Sequence, residues 1–332
     1  GAKRRVQIEI ATPELAAKKL LQDTTDGFFE QMRPLEMCIQ MRLPQAECEA
    51  FRALSREEML RKYADFLRAD LATTVSIEQV QLLDKQMQLA LKYTFEAFPK
   101  LSLPDTLTLI VVKGDTYGGT VYYTRENCII VPQPQLFEGN EEHLMSVLVH
   151  EIFHVYSRRH ADKRRALFAE IGFEPIDSLQ WSPFLAERRL CNPDAVDCRY
   201  ILRLPIAQGG ADSLFVPVIY SRFAQYERDF SFFQHLHFQL FPVRPLTDST
   251  GKPIAGAYAI AVPDVGTDPQ QLEAFFERIG RNTNYIIHPE EIIADNFRML
   301  VLQKVPTLRD AHQPADERGA QLLQKIQTIV AQ

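Results

Sequence analysis

Two rhythms of apolar and polar positions run along this chain. Within residues 13–100 the apolar positions recur every three or four residues, as in SREEMLRKYADFLRAD and SIEQVQLLDKQMQLALKYTFEAF, which is the spacing of one face of an α-helix. Ser76 is a predicted N-cap, followed by Glu78 and Gln79, because its hydroxyl can accept from the free amides of a first turn. The rhythm then shortens. TLTLIVV (106–112), TVYYT (120–124) and CIIVP (128–132) are rich in β-branched and aromatic residues and are parted by YGG and REN, which predicts short strands and turns. An almost wholly apolar helix follows over 144–156, then a Pro-rich, irregular stretch from Gly172 to about Pro205. A second β-rich segment runs from SLFVPVIYSR through SFFQHLHFQLF to GAYAIAVP, with DSTGKP as a turn. DPQQLEAFFERIG, HPEEIIADNFRMLVLQK and ADERGAQLLQKIQTIVAQ return to the helical spacing.

These segments predict an α+β fold with segregated helices and small antiparallel β-sheets. Four regions follow: helical over 1–100, β-rich plus one apolar helix over 101–175, irregular and β-rich over 176–265, and helical over 266–332. No internal repeat or low-complexity tract interrupts them.

Composition narrows the picture only a little. The chain has 332 residues, 46% hydrophobic and 24% charged, enough to bury a sizeable core. A net charge of −6 gives no sign of a nucleic-acid or anionic-membrane partner. No apolar run approaches the roughly 18–20 residues of a membrane span. The chain opens Gly1-Ala2-Lys3-Arg4-Arg5 with no initiator Met, so Gly1 is expected to be an expression scar, a removed signal peptide being the alternative. Five cysteines include no CxxC, which argues against a cysteine zinc site. Cys191 and Cys198 flank NPDAVD, where a disulfide loop and two free thiols are both open. That candidate loop and the absent Met lean towards an extracytoplasmic location, periplasmic or secreted.

The chemistry is concentrated in MSVLVHEIFHVYSRRHADK (145–163). His150 and His154 are four apart, so a helix puts both imidazoles on one face, within reach of one ion. Glu151 between them can hold a water and take its proton. The neighbours are Leu, Met, Val, Ile and Phe, and burying three such polar groups costs several kcal/mol unless they are paired or bind metal. A core helix with satisfied histidines is the bland alternative.

Three positions compete as third ligand. His160 lies ten residues after His150, the metzincin spacing. However, Ser157 stands where that pattern has glycine, and the only downstream methionine is Met299 in a predicted helix. Glu174 sits in the turn-like GFEPID, a poor platform for a fixed ligand. Glu291 and Asp295 share one face of a helix opened by Pro289. There Glu291 is expected to bind the ion and Asp295 to accept from the far nitrogen of a ligating histidine. The plainer role of Glu290 and Glu291 is to complement the helix dipole.

HEIFH followed by EIIAD resembles the gluzincin group of zinc metallopeptidases, whose pattern is H-E-x-x-H with E-x-x-x-D on a second helix. About ten residues carry the resemblance, and the gap between its two parts is much longer than in the thermolysin-like members. It implies a zincin-like catalytic core, Zn2+ held by His150, His154 and Glu291, and a zinc-activated water with Glu151 as general base. A peptide or protein would be the substrate. Tyr285 and His288, just before the second helix, are candidate donors to the oxyanion. TVYYT and CIIVP are open to two readings, an edge to which an extended substrate adds and an ordinary core hairpin. His235 and His237 are predicted on one face of a strand, as polar side chains or a second metal site, and GRNTNY (280–285) as a loop at the site mouth. The alternatives are a non-catalytic binding protein of the same fold and a metzincin-type peptidase using His160.

Overall fold

The computed structural model describes residues 6–205 and 210–332; the Gly1 reading lies outside them. The chain begins with strand β1 (Gln7–Ile10), then five helices: α1 (Pro13–Leu20), α2 (Phe28–Gln31), α3 (Pro34–Gln40), α4 (Gln45–Arg52) and α5 (Arg56–Ala69). The long α6 (Ile77–Ala97) starts at Ser76, whose side chain accepts from Gln79 N–H while the Gln79 side chain accepts from the Ser76 amide. Next come β2 (Thr106–Val112), β3 (Tyr123–Arg125), β4 (Cys128–Pro132), α7 (Glu141–Arg158) and α8 (Ala161–Glu170). The stretch read as irregular holds β5 (Phe173–Pro175), β6 (Ser178–Gln180), α9 (Pro183–Arg188) and β7 (Tyr200–Leu204). It is followed by β8 (Ser213–Ser221), α10 (Phe232–His235), β9 (Leu236–Thr247), β10 (Pro253–Ile260), α11 (Glu273–Ile279), α12 (Pro289–Leu302) and α13 (Glu317–Ala331).

Two sheets result, in a mixed α/β fold. The first has the order β1-β2-β4-β3. It is not the small antiparallel sheet expected: β1, β2 and β4 run parallel, and only β3 is antiparallel. The physical reason is visible in TLTLIVV, an unbroken apolar run of the kind buried on both faces of a parallel sheet. Leu107, Leu109 and Val111 face one core with α6 and α7, and Ile110 and Val112 face another under α1–α5. Strand β1 had no counterpart in the helical reading of 1–100. Its side chains are part-exposed, so its periodicity is weak.

The second sheet, β5-β7-β8-β9-β10-β6, is antiparallel except for the β10–β6 pair. His235 and His237 do not share a strand face. His235 closes α10, its Nε2 accepting from Glu227 N–H and its Nδ1 donating to Ser231 C=O. His237 lies on β9 beside the Tyr220 hydroxyl. Helix α12 packs across α7 through Phe297, whose ring is 5.2 Å from Phe153 and stacks on Phe98 at 5.0 Å. No described helix is long and apolar enough to cross a membrane. Cys191 and Cys198 are unbonded thiols, as are the other three cysteines.

Candidate metal centre

The middle of α7 and the first turns of α12 meet over a set of buried ionisable groups. His150 is 6% exposed, Glu151 3%, and His154 and Glu291 0%. His150 Nε2 lies 2.8 Å from Glu291 Oε2 and 3.0 Å from His154 Nε2. His154 Nε2 is 3.2 Å from the same Glu291 oxygen. Three donor atoms thus close a small triangle. Ligands on a tetrahedral zinc stand about 3.3 Å apart, given zinc–nitrogen distances near 2.05 Å.

Carboxylates on the far side fix both rings. His150 Nδ1 is 2.7 Å from Asp295 Oδ1, and His154 Nδ1 is 3.2 Å from Glu290 Oε1. A carboxylate only accepts, so each Nδ1 carries the hydrogen and each Nε2 turns towards the triangle. The anchors are themselves held. Thr283 donates to Asp295 Oδ2 and Arg298 lies 3.3 Å from its Oδ1. Ser157 donates to Glu290 Oε2 at 2.8 Å.

Two imidazole lone pairs and a carboxylate oxygen pointed at one another repel unless a cation stands among them. Protons supply part of that charge. Burial pulls the His150 imidazole down, but hydrogen bonds to Asp295 and Glu291 outweigh it and lift it to about 9. For His154, burial is outweighed by Glu291 and Asp194, and the ring is raised well above its ordinary value. Burial opposes ionisation of Glu291, yet His154 and His150 hold it well below the carboxylate range. Glu151 goes the other way, pushed up to about 8 by burial and then by Asp194. Its Oε2 is buried with no hydrogen-bond partner, and one of its carboxylate oxygens lies within 4.8 Å of ring nitrogens of His150 and His154. The donor set suits a divalent ion such as zinc, and the unpartnered Oε2 leaves one acceptor for a water or substrate proton.

A loop unforeseen in the sequence closes over the site. Asn192 Nδ2 donates to Glu291 Oε1 at 3.1 Å. Asp194 accepts at Oδ1 from Thr124 N–H and its hydroxyl, at 2.7 and 2.6 Å, and points Oδ2 at His154 Nε2 across 3.9 Å. His150, Glu151 and His154 form one group able to hold a metal ion, and His154, Asp194 and Glu291 another. NPDAVD had suggested only a disulfide loop or two free thiols, and a lone aspartate in a loop carries no spacing signal. Complementing the helix dipole is the role the sequence offers Glu290; it stands beside Glu291 but accepts from Nδ1 of His154.

The remaining candidates separate. His160 is not at the centre. Helix α7 stops at Arg158, because the His160 ring takes the Tyr156 carbonyl at 2.7 Å, the acceptor its own amide would need to continue the helix. Glu174 is exposed on β5 and pairs with Arg203 at 3.3 Å. His288 is the N-cap of α12: Nδ1 accepts from Glu290 N–H at 3.0 Å and Nε2 donates to Asp197 C=O at 2.8 Å. Both nitrogens are used, so it has no donor left for an oxyanion. Tyr285 stays, 39% exposed, its ring 5.9 Å from that of His150. CIIVP is an inner strand, and the outward amide of Thr124 on edge strand β3 is taken by Asp194, so neither offers a free edge to a peptide. No protein-family model, curated protein or solved structure matches the chain.

Proposed function

We propose that the chain is a zinc-dependent metallopeptidase with a zincin-like core, hydrolysing peptide bonds. One observation carries the reading: His150 Nε2, His154 Nε2 and Glu291 Oε2 converge within 2.8–3.2 Å beside the unpartnered carboxylate of Glu151. His150, His154 and Glu291 would hold the ion, which supplies Lewis acidity to a carbonyl and acidifies a water. Glu151 takes the proton of the attacking water at Oε2 and returns it to the leaving amine. Asp295 and Glu290 keep the two imidazoles turned inward. Tyr285, part-exposed with its ring 5.9 Å from that of His150, would donate to the developing oxyanion.

The test uses the purified chain loaded with zinc. About one zinc per chain, cleavage of a peptide library that chelation abolishes, and a Glu151→Gln variant that keeps zinc but loses cleavage are expected. Full zinc occupancy with no cleavage would favour a second reading, for which Asp194 and Asn192 speak: a closed, non-catalytic metal site in a binding protein. A folded chain that binds no zinc ends both.

A further inference from the structure

A polar cavity of about 590 Å³ opens beside the candidate metal centre, with Asp194 in its wall. Four arginines, Arg33, Arg164, Arg189 and Arg199, line it together with Trp181 and Gln31. Most of the charge there is already matched. Arg199 bridges Asp197 at 3.1 Å, Asp26 bridges Arg158 at 2.5 Å, and Arg164 donates to Ser157 and lies 3.6 Å from Glu290. Asp194 is pinned by Thr124 and turned towards His154.

Arg33 and Arg189 are left. Neither forms an ion pair among the described residues, and the Nε of each is buried without a hydrogen-bond partner. Arg189 has only a 3.4 Å contact to Gln31 and the face of Trp181 at 4.5 Å. The two guanidiniums also repel each other: burial, then Arg33, lowers the pKa of Arg189. Glu36 feels the charge of both but forms no ion pair with either among the described residues, and burial lifts its carboxyl to about 8. Two half-buried, unmatched guanidiniums from different elements, over a polar cavity, make a fork for a planar anion.

We propose that Arg33 and Arg189 form an oxyanion site that takes a carboxylate of a peptide whose scissile bond lies at the metal centre. This rests on the peptidase reading for its placement, but the binding itself does not. The carboxylate is either an acidic side chain or a free C-terminus. Trp181 and Gln31 complete the pocket as a flat apolar wall and a neutral polar group.

Full-length protein carrying Glu151→Gln, loaded with zinc, is titrated calorimetrically with three peptides of one sequence length. One has a central Glu and an amidated end, one is neutral with a free C-terminus, and one is neutral and amidated. One or both carboxylate peptides should bind at least tenfold tighter than the neutral one, with the preference weakening in high salt. Which one does so identifies the source of the carboxylate. Arg33→Met and Arg189→Met, which keep the side-chain bulk, should each erase the preference, and Arg33→Lys should keep part of it. Equal binding of all three peptides, or a preference that survives both Met variants, overturns the proposal. The wild-type protein separates the two ideas. Cleavage with no carboxylate preference sinks only the oxyanion site, and carboxylate-dependent binding with no cleavage sinks only the peptidase.

Discussion

His150 Nδ1 donates to Asp295 Oδ1 across 2.7 Å, tying together residues 145 positions apart. This bond decides which nitrogen of His150 faces Glu291 and His154. Without the acceptor, the ring is free to rotate or to change tautomer. Asp295→Ala should therefore weaken zinc binding by about 10–100-fold. Thr283→Val removes only the hydroxyl that holds Asp295, and should cost less. Competition against a chelator of known affinity reads both. An Asp295→Ala protein that keeps wild-type zinc affinity would show that packing alone holds the ring.

Asp194 reaches the same centre from the loop. Its Oδ2 is 3.9 Å from His154 Nε2, while Oδ1 is spent on Thr124. Asp194→Asn keeps an oxygen for Thr124 but presents an amide to the centre. Cobalt-substituted protein should change its visible spectrum on this substitution, since the spectrum reports the ligand set. Peptide cleavage should rise as the centre opens. An unchanged spectrum and rate would reduce Asp194 to an anchor for the loop.

Much of the candidate centre was legible in the sequence, for a definable reason. Four-residue spacing on a helix fixes which side chains share a face, so HEIFH and EIIAD each set a local constellation before any tertiary contact forms. That the two constellations meet depends on how α12 crosses α7, and the apolar faces of both helices hinted at it. Three things were not legible. Asn192 and Asp194 act from a loop, where no periodicity orders the side chains. His288 sits close in sequence to the candidate ligand Glu291 but spends both nitrogens on backbone groups. The direction of strand β1 relative to β2 depends on a partner about a hundred residues away, which four part-exposed residues cannot specify.

The crossing itself can be tested at Phe297. Its ring packs on Phe153 of α7 and stacks on Phe98 just past α6, and it is fully buried. Phe297→Ala should cost about 3–5 kcal/mol of stability, the range for emptying an aromatic site in a core. Glu291 and Asp295 lie on the same helix, so zinc affinity should fall with it even though no ligand is changed. Chemical denaturation and a chelator titration check the two effects. Lost stability with unchanged zinc affinity would mean that α12 keeps its position without the ring.

Glu36 gives a pH prediction away from the candidate metal centre. It is buried on α3, accepts from Gln40 at 2.9 Å and from the Cys191 amide, and burial outweighs these bonds to lift its carboxyl from 4.5 to about 8. Between those values the folded chain keeps a proton that the unfolded chain has released. Unfolding then releases a proton, so rising pH favours the unfolded chain. The contribution of Glu36 is full below about 4.5, declines up to about 8 and is flat beyond. The total loss is of the order of a few kcal/mol, at about 1.4 kcal/mol per pH unit. Glu36→Gln keeps an acceptor for the Cys191 amide and has no proton to lose. The variant should gain on the wild type as pH rises from 5 to 8, in urea melts taken at each pH. A constant difference between the two proteins across that range would show that Glu36 is already ionised in the fold.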